Sequence, residues 1–126
     1  MTILIVDDDA AIRQMVTVFL EYKGYPAISV ANGAEALTHL QHNRVLPQLM
    51  LLDLMMPVMD GATFRHAQQQ DRQLATIPVV VLSGAETIEE QAPLLTAEAY
   101  LPKPIDFDAL LTLVEQYCAQ SRQRGM

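Results

Sequence analysis

Tryptophan is absent from the 126 residues, cysteine occurs once and glycine only five times. The single thiol, Cys118, excludes an internal disulfide and a cysteine-based zinc site. Basic residues are scarce, 8 against 15 acidic ones, for a formal net charge of −7. Such a balance disfavours nucleic acid, whose binding rests on cations that displace counterions from phosphates. It also provides no attraction to an anionic membrane surface. No apolar stretch approaches the ~20 residues that a bilayer crossing needs. The first apolar run lacks a preceding basic segment and stops at Asp7, so a secretory leader is not expected and the expected location is cytoplasmic. Hydrophobic residues are plentiful, 51% of the chain, enough at this length for one domain with a sound core.

Their arrangement is periodic. Ile3 to Val6 is a continuous apolar run, as in a strand buried on both faces. Ile12, Met15, Val16, Phe19 and Leu20 then recur with the spacing of a helix stripe that Gly24 can stop. A weaker strand over Ala27 to Val30 precedes a helix capped by Asn32, with Glu35 placed for a capping box. Leu49 to Leu52 is a second buried strand, ending at Asp53. Asp60 can cap a third helix through about Gln70, whose Gln68 to Gln70 run is expected on a solvated face. Ile77 to Leu82 is a further buried strand, ending at Ser83. A fourth helix is expected near Ile88 to Ala97, then a short strand at Tyr100 and Leu101. Asp106 caps a last helix whose stripe is Leu110, Leu113, Val114, Tyr117 and Cys118.

Strand and helix alternate, with connections too long for hairpins. The expected class is therefore α/β, a parallel sheet covered on both faces. Sequence alone does not set the strand order; 2-1-3-4-5 is the common solution for five units, with ligands at the carboxyl ends of strands 1 and 3. In that order the charged strand ends share one edge: Asp7 and Asp8 from strand 1, Asp53 from strand 3, Ser83 from strand 4 and Lys103 from strand 5. Two carboxylates about 4 Å apart repel by roughly 4 kcal/mol at an effective dielectric near 20. A helix N-terminus offsets only about 0.3–1 kcal/mol of this. The cluster therefore calls for a cation, and carboxylates without histidine or thiolate suit a hard ion such as Mg²⁺ that keeps several waters. With a lysine and a hydroxyl across the cleft, this is a pattern for phosphoryl transfer with a carboxylate nucleophile.

VDDD after strand 1, DLMMPVMDG from Asp53, VVVLSGA around Ser83 and AYLPKPI around Lys103 resemble the receiver domain of two-component response regulators. The resemblance runs from residue 2 to about residue 120, which places a receiver domain at 1–120 and a short tail at 121–126. It implies a flavodoxin-like receiver fold with Asp53 as phosphoacceptor. It further implies that Asp8 binds Mg²⁺ directly, that Asp7 assists partly through water, and that Met55 supplies a backbone carbonyl. Ser83 and Lys103 would bind the phosphoryl oxygens, Tyr100 would be the switch aromatic, and the Lys103–Pro104 bond would be cis. The implied donor is a histidine kinase or phosphotransfer protein. The implied output is a protein partner on the face of the fourth helix, fifth strand and last helix, with a homodimer possible.

Asp9 reads differently from its neighbours, as a carboxylate beginning the first helix. The stretch TAEAYLPKP lacks the glycine the family often has before strand 5, and Pro93 falls inside the expected fourth helix, which should be short, kinked or late. Ala85 and Met55 occupy positions that tune hydrolysis in the family. Only AQSRQRGM follows Cys118, so a stand-alone switch is expected unless the chain is a fragment of a longer regulator, with no activity beyond accepting and hydrolysing its own phosphoryl group. Two other readings exist. A haloacid-dehalogenase-like phosphatase would use Asp7 as nucleophile and Asp9 as acid/base, but leaves DLMMPVMDG unexplained. A docking module independent of phosphorylation would need no complete site.

Overall fold

The computed structural model describes residues 2–42, 45–54, 59, 61–84 and 97–124. Among them, five strands and four α-helices follow in the order β1 (Ile3–Val6), α1 (Ala10–Tyr22), β2 (Ala27–Val30), α2 (Gly33–His42), β3 (Leu49–Asp53), α3 (Gly61–Gln69), β4 (Val79–Ser83), β5 (Ala99–Pro102) and α4 (Phe107–Arg124). A 3-10 turn at Leu74–Thr76 lies between α3 and β4. The strands form one parallel sheet in the order β2-β1-β3-β4-β5. This is the α/β architecture expected from the alternation of runs, and it also settles the strand order.

Every residue of β1, β3 and β4 is buried, whereas the edge strands β2 and β5 are partly exposed. Central strands carry continuous apolar runs because helices cover both faces of the sheet. The two-residue period divides each run between two cores. Leu4, Val6, Met50, Leu52, Val79 and Val81 pack with Ala36 and Leu40 of α2 and Phe64 of α3. Ile3, Ile5, Leu49, Leu51, Val80 and Leu82 pack on the other side with Val16 and Leu20 of α1 and Leu110, Val114 and Cys118 of α4.

Local signals set the helix ends. Asp9 is the N-cap of α1, its Oδ1 accepting from the N–H groups of Ala11 and Ile12 at 2.9 and 3.2 Å. At the other end Gly24 has φ 92°, the Gly24 N–H donates to Glu21 O, and the Tyr25 N–H donates to Leu20 O. That is a Schellman closure, which needs a left-handed residue and so favours glycine. Asn32 Oδ1 accepts the Glu35 N–H at 2.9 Å, while Glu35 reaches back to the Ala31 N–H at 3.5 Å, one residue before the usual partner in a capping box. Asp106 Oδ1 accepts from the N–H groups of Asp108 and Ala109. The Lys103–Pro104 bond is cis.

Four details differ from the sequence reading. Gln68 is fully buried rather than solvated: its amide donates to Leu74 O and Ile77 O, and it accepts from Arg65 at 2.7 Å. It thereby ties α3 to the 3-10 turn and to the lead-in to β4. β4 begins at Val79, because the Ile77 N–H closes the 3-10 turn on Leu74 O and Pro78 has no N–H to pair. Met15 is 53% exposed, being one residue (about 100°) around the helix from Val16, which faces the sheet. Helix α4 runs on to Arg124, past residue 120. Before β5, in the stretch that lacks the glycine, Glu98 takes over part of the ladder, its N–H donating to Val79 O and its carboxylate accepting the Val79 N–H at 2.7 Å. The expected cap Asp60, the fourth helix with Pro93, Ala85 and Met55 lie outside the described residues.

Candidate functional site

Parallel register brings the polar strand ends to one edge. Val6 lies level with Leu52, so the next residues, Asp7 and Asp53, leave the sheet side by side. Asp53 lies level with Leu82, just before Ser83, and Ser83 lies level with Pro102, just before Lys103. The Lys103 N–H donates to Ser83 O at 2.8 Å, extending the β4–β5 ladder by one step. With parallel strands about 4.8 Å apart, the ends of four adjacent strands, three spacings across, carry Asp7, Asp53, Ser83 and Lys103.

Asp7, Asp53 and Ser83 are almost wholly buried, while Asp8 is exposed at the rim. Oxygens of Asp7, Asp8 and Asp53 lie within 4.8 Å of one another. Lys103 Nζ lies 2.9 Å from Asp7 Oδ2 and 3.5 Å from Asp53 Oδ1, bridging the two buried carboxylates. Burial alone would lower the Lys103 pKa. Its hydrogen bond to Asp7 and the charges of Asp53 and Asp7 outweigh burial and hold the ammonium above its ordinary 10.5. Asp7 also accepts the Asp9 N–H on Oδ1 at 2.9 Å, and its backbone carbonyl accepts from Arg13 Nη1 at 2.8 Å.

Tyr100 is half-buried and packs against the core on the α2–α3 side, with its hydroxyl accepting the Ala97 N–H at 3.2 Å. It is the register partner of Val81, so Ser83, two residues further along β4, falls on the same face of the sheet. Asp9 stands apart, its carboxylate engaged in capping α1. The structure thus brings together Asp7, Asp8, Asp53, Ser83 and Lys103, with Tyr100 nearby. The residue that sequence reasoning missed is Arg13. Its only signal was a basic side chain one turn into the helix that follows the acidic run.

The chemistry of the donor set suits a hard divalent cation: three carboxylates converge without a histidine or thiolate. An octahedral Mg²⁺ with bonds near 2.1 Å holds its ligand oxygens roughly 3–4 Å apart, close to the spread seen here.

Comparison with known proteins agrees with this geometry. The response regulator receiver domain matches residues 3–115. Response regulator Rre1 of Synechocystis is 35% identical over 124 residues, covering 96% of this chain and 53% of that protein. An uncharacterized 14.6 kDa protein of Leptolyngbya boryana is 37% identical over 120 residues, covering 94% of this chain and 90% of the relative. Among solved structures, the signal receiver domain of a signal transduction histidine kinase from Syntrophus aciditrophicus superposes with a TM-score of 0.86 at 29% identity, covering 94% and 90% of the two chains. Several curated relatives are about twice as long, and the chain spans about half their length. The chain belongs to the response regulator receiver domain family of two-component signalling. Receiver domains are signalling modules rather than metabolic enzymes. No helix among the described residues is long and apolar enough to cross a membrane.

Proposed function

We propose that the chain is a phosphorylation-driven switch in which Asp53 accepts a phosphoryl group from the phosphohistidine of a histidine kinase or phosphotransfer protein. The supporting observation is the convergence of a buried Asp53, a lysine 3.5 Å from it and a three-carboxylate cluster at one sheet edge. An Asp53 oxygen attacks phosphorus, the P–N bond breaks, and histidine leaves with the electron pair to give an acyl phosphate. Asp7, Asp8 and Asp53 would hold Mg²⁺ with the Met55 carbonyl, and the ion when bound supplies charge neutralisation for the phosphoryl oxygens. Lys103 shares that task, and its raised pKa keeps it protonated at neutral pH. Water later cleaves the acyl phosphate, so the domain resets itself.

The phosphoryl oxygens bias a pre-existing two-state equilibrium by drawing on Ser83 and, through the shared sheet face, on Tyr100. Beside Lys103 and Pro104, an apolar groove continues along α1 through Met15 to Val18, Phe19 and Phe107, with a main cavity of about 450 Å³. It suits the apolar surface of an approaching donor. Output passes to a protein partner through β5 and the last helix with the fourth, in the cytoplasm, and dimerisation of the switch is compatible with this.

Incubation with Mg²⁺ and acetyl phosphate, followed by mapping of the modified residue, tests the proposal. Label on Asp53, abolished by Asp53→Asn, is expected. An unlabelled Asp53 under conditions where other receivers react refutes the switch and leaves the docking module. Label on Asp7 would support the phosphatase, whose acid/base Asp9 is here engaged in capping α1.

A further inference from the structure

The Asp7 residue is held at every polar group. Its N–H donates to Val30 O at 3.2 Å, Oδ1 accepts from the Asp9 N–H, Oδ2 pairs with Lys103, and its carbonyl oxygen accepts from Arg13 Nη1 at 2.8 Å. Asp8 has none of this support: its side chain is exposed, and among the described residues no hydrogen bond holds its carboxylate. Only the backbone therefore sets the Cα–Cβ bond from which that carboxylate starts, its staggered rotamers doing the rest.

We propose that Arg13 is a positioning residue for the cation site, acting through the Asp7 carbonyl to aim the Asp8 carboxylate into the cleft. This rests on the reading of Asp7, Asp8 and Asp53 as Mg²⁺ ligands. The link is the planar, trans peptide between Asp7 and Asp8, in which the carbonyl of one and the N–H of the other move as a unit. β1 ends at Val6, so the Asp7 carbonyl has no partner in the β1–β3 ladder. Without a donor, the Asp7 carbonyl can swing about the Asp7 Cα–C bond, and that rotation carries the planar peptide and the Asp8 Cα–Cβ bond with it. Arg13, one turn into α1 and half-buried, supplies a charge-assisted donor from a rigid element and closes this freedom. The bond from Asp9 N–H to Asp7 Oδ1, 2.9 Å, fixes the side chain of Asp7, not the peptide that follows it.

The proposal makes a prediction opposite in sign to simple electrostatics. Arg13 places a positive charge near a site for a divalent cation, so charge alone says that removing it tightens Mg²⁺ binding. Positioning says that removing it weakens binding, and loss of a residue that orients a metal ligand typically costs 10–100-fold in affinity.

Calorimetric titration of the full chain with MgCl₂ alone separates these effects, alongside thermal melts in EDTA. Arg13→Met is expected to bind Mg²⁺ about tenfold more weakly than wild type. Arg13→Lys, which keeps a donor of similar reach, is expected to recover most of that loss. Arg13→Gln, neutral and too short to reach the carbonyl, serves the same comparison should the methionine variant not fold. Equal or tighter binding by the Met or Gln variant overturns the assignment. So does a lower melting temperature with unchanged Mg²⁺ affinity, which would make Arg13 a structural cap only. Wild-type protein that binds no Mg²⁺ at millimolar concentration overturns the cation site itself, a failure distinguishable from unchanged affinity in a variant.

Discussion

Replacing Lys103 by methionine probes the electrostatics of the cleft most directly. In the wild type one ammonium lies 2.9 Å from an Asp7 oxygen and 3.5 Å from an Asp53 oxygen. At an effective dielectric near 20, those distances correspond to gross attractions of about 6 and about 5 kcal/mol. Desolvation of the lysine cancels much of this, and its side chain keeps 24% of its exposure, so solvent screens the pairs further. Removing one partner from a buried pair costs about 3–5 kcal/mol; discounted for exposure, about 2–3 kcal/mol is expected here. For a domain of this size that is a fall of about 10 °C in the melting temperature. The same change removes the cation that competes for the carboxylates, so Mg²⁺ should stabilise Lys103→Met more than wild type. At a hundredfold excess over Kd, binding contributes about 2.7 kcal/mol, enough to offset most of the loss. Thermal melts of both proteins in EDTA and across an MgCl₂ series read both effects. A melting temperature unchanged in EDTA, or equal Mg²⁺-induced shifts in the two proteins, would refute the reasoning.

Other tests bear on separate parts of the structure. Asp8→Asn, at the exposed rim, should weaken Mg²⁺ binding in a calorimetric titration while leaving the far-ultraviolet spectrum intact and the apo melting temperature equal or higher; unfolding would show the charge argument to be wrong. Gln68→Leu deprives Ile77 O of its amide donor and Arg65 of an acceptor, so denaturant unfolding should show a loss of about 1–3 kcal/mol. The pH dependence follows from the raised pKa of Lys103. A folded-state pKa above the unfolded 10.5 means that the stabilisation is fully present below pH 10.5 and is lost as pH rises through the folded value. The stability gap between wild type and Lys103→Met should therefore stay constant from neutral pH to about pH 10 and narrow only beyond it; narrowing below pH 9 would contradict the assignment.

The runs that became β1, β3 and β4 were legible because a strand covered on both faces needs apolar residues at every position. The caps Asp9, Asn32 and Asp106 and the stop at Gly24 were legible because each bonds or bends the chain within a few residues of itself. Asp7, Asp8, Asp53, Ser83 and Lys103 could be picked out as one group because each follows directly on an apolar run. Once the strands are parallel, their carboxyl ends must share an edge. Gln68 was not legible. A glutamine in a run of three has the pattern of a solvated face, and its burial depends on carbonyls of Leu74 and Ile77 that only the 3-10 turn brings over it. Met15 has the spacing of a core residue but sits at the margin of the α1 stripe, where the angle of the helix against the sheet decides exposure.

Local periodicity and the residues that end each run are properties of neighbours along the chain, and the sequence by itself determined them: the α/β alternation, the helix ends and the membership of the acidic site. Distances between strand ends depend on order and register, which are properties of the packed sheet. Only the tertiary structure decided that Lys103 lies nearer Asp7 than Asp53, that Tyr100 and Ser83 share a face, and that Arg13 turns back to hold the Asp7 carbonyl. Three aspartates adjacent in sequence thereby take three different positions: one buried and fully bonded, one exposed at the rim, and one engaged in capping a helix.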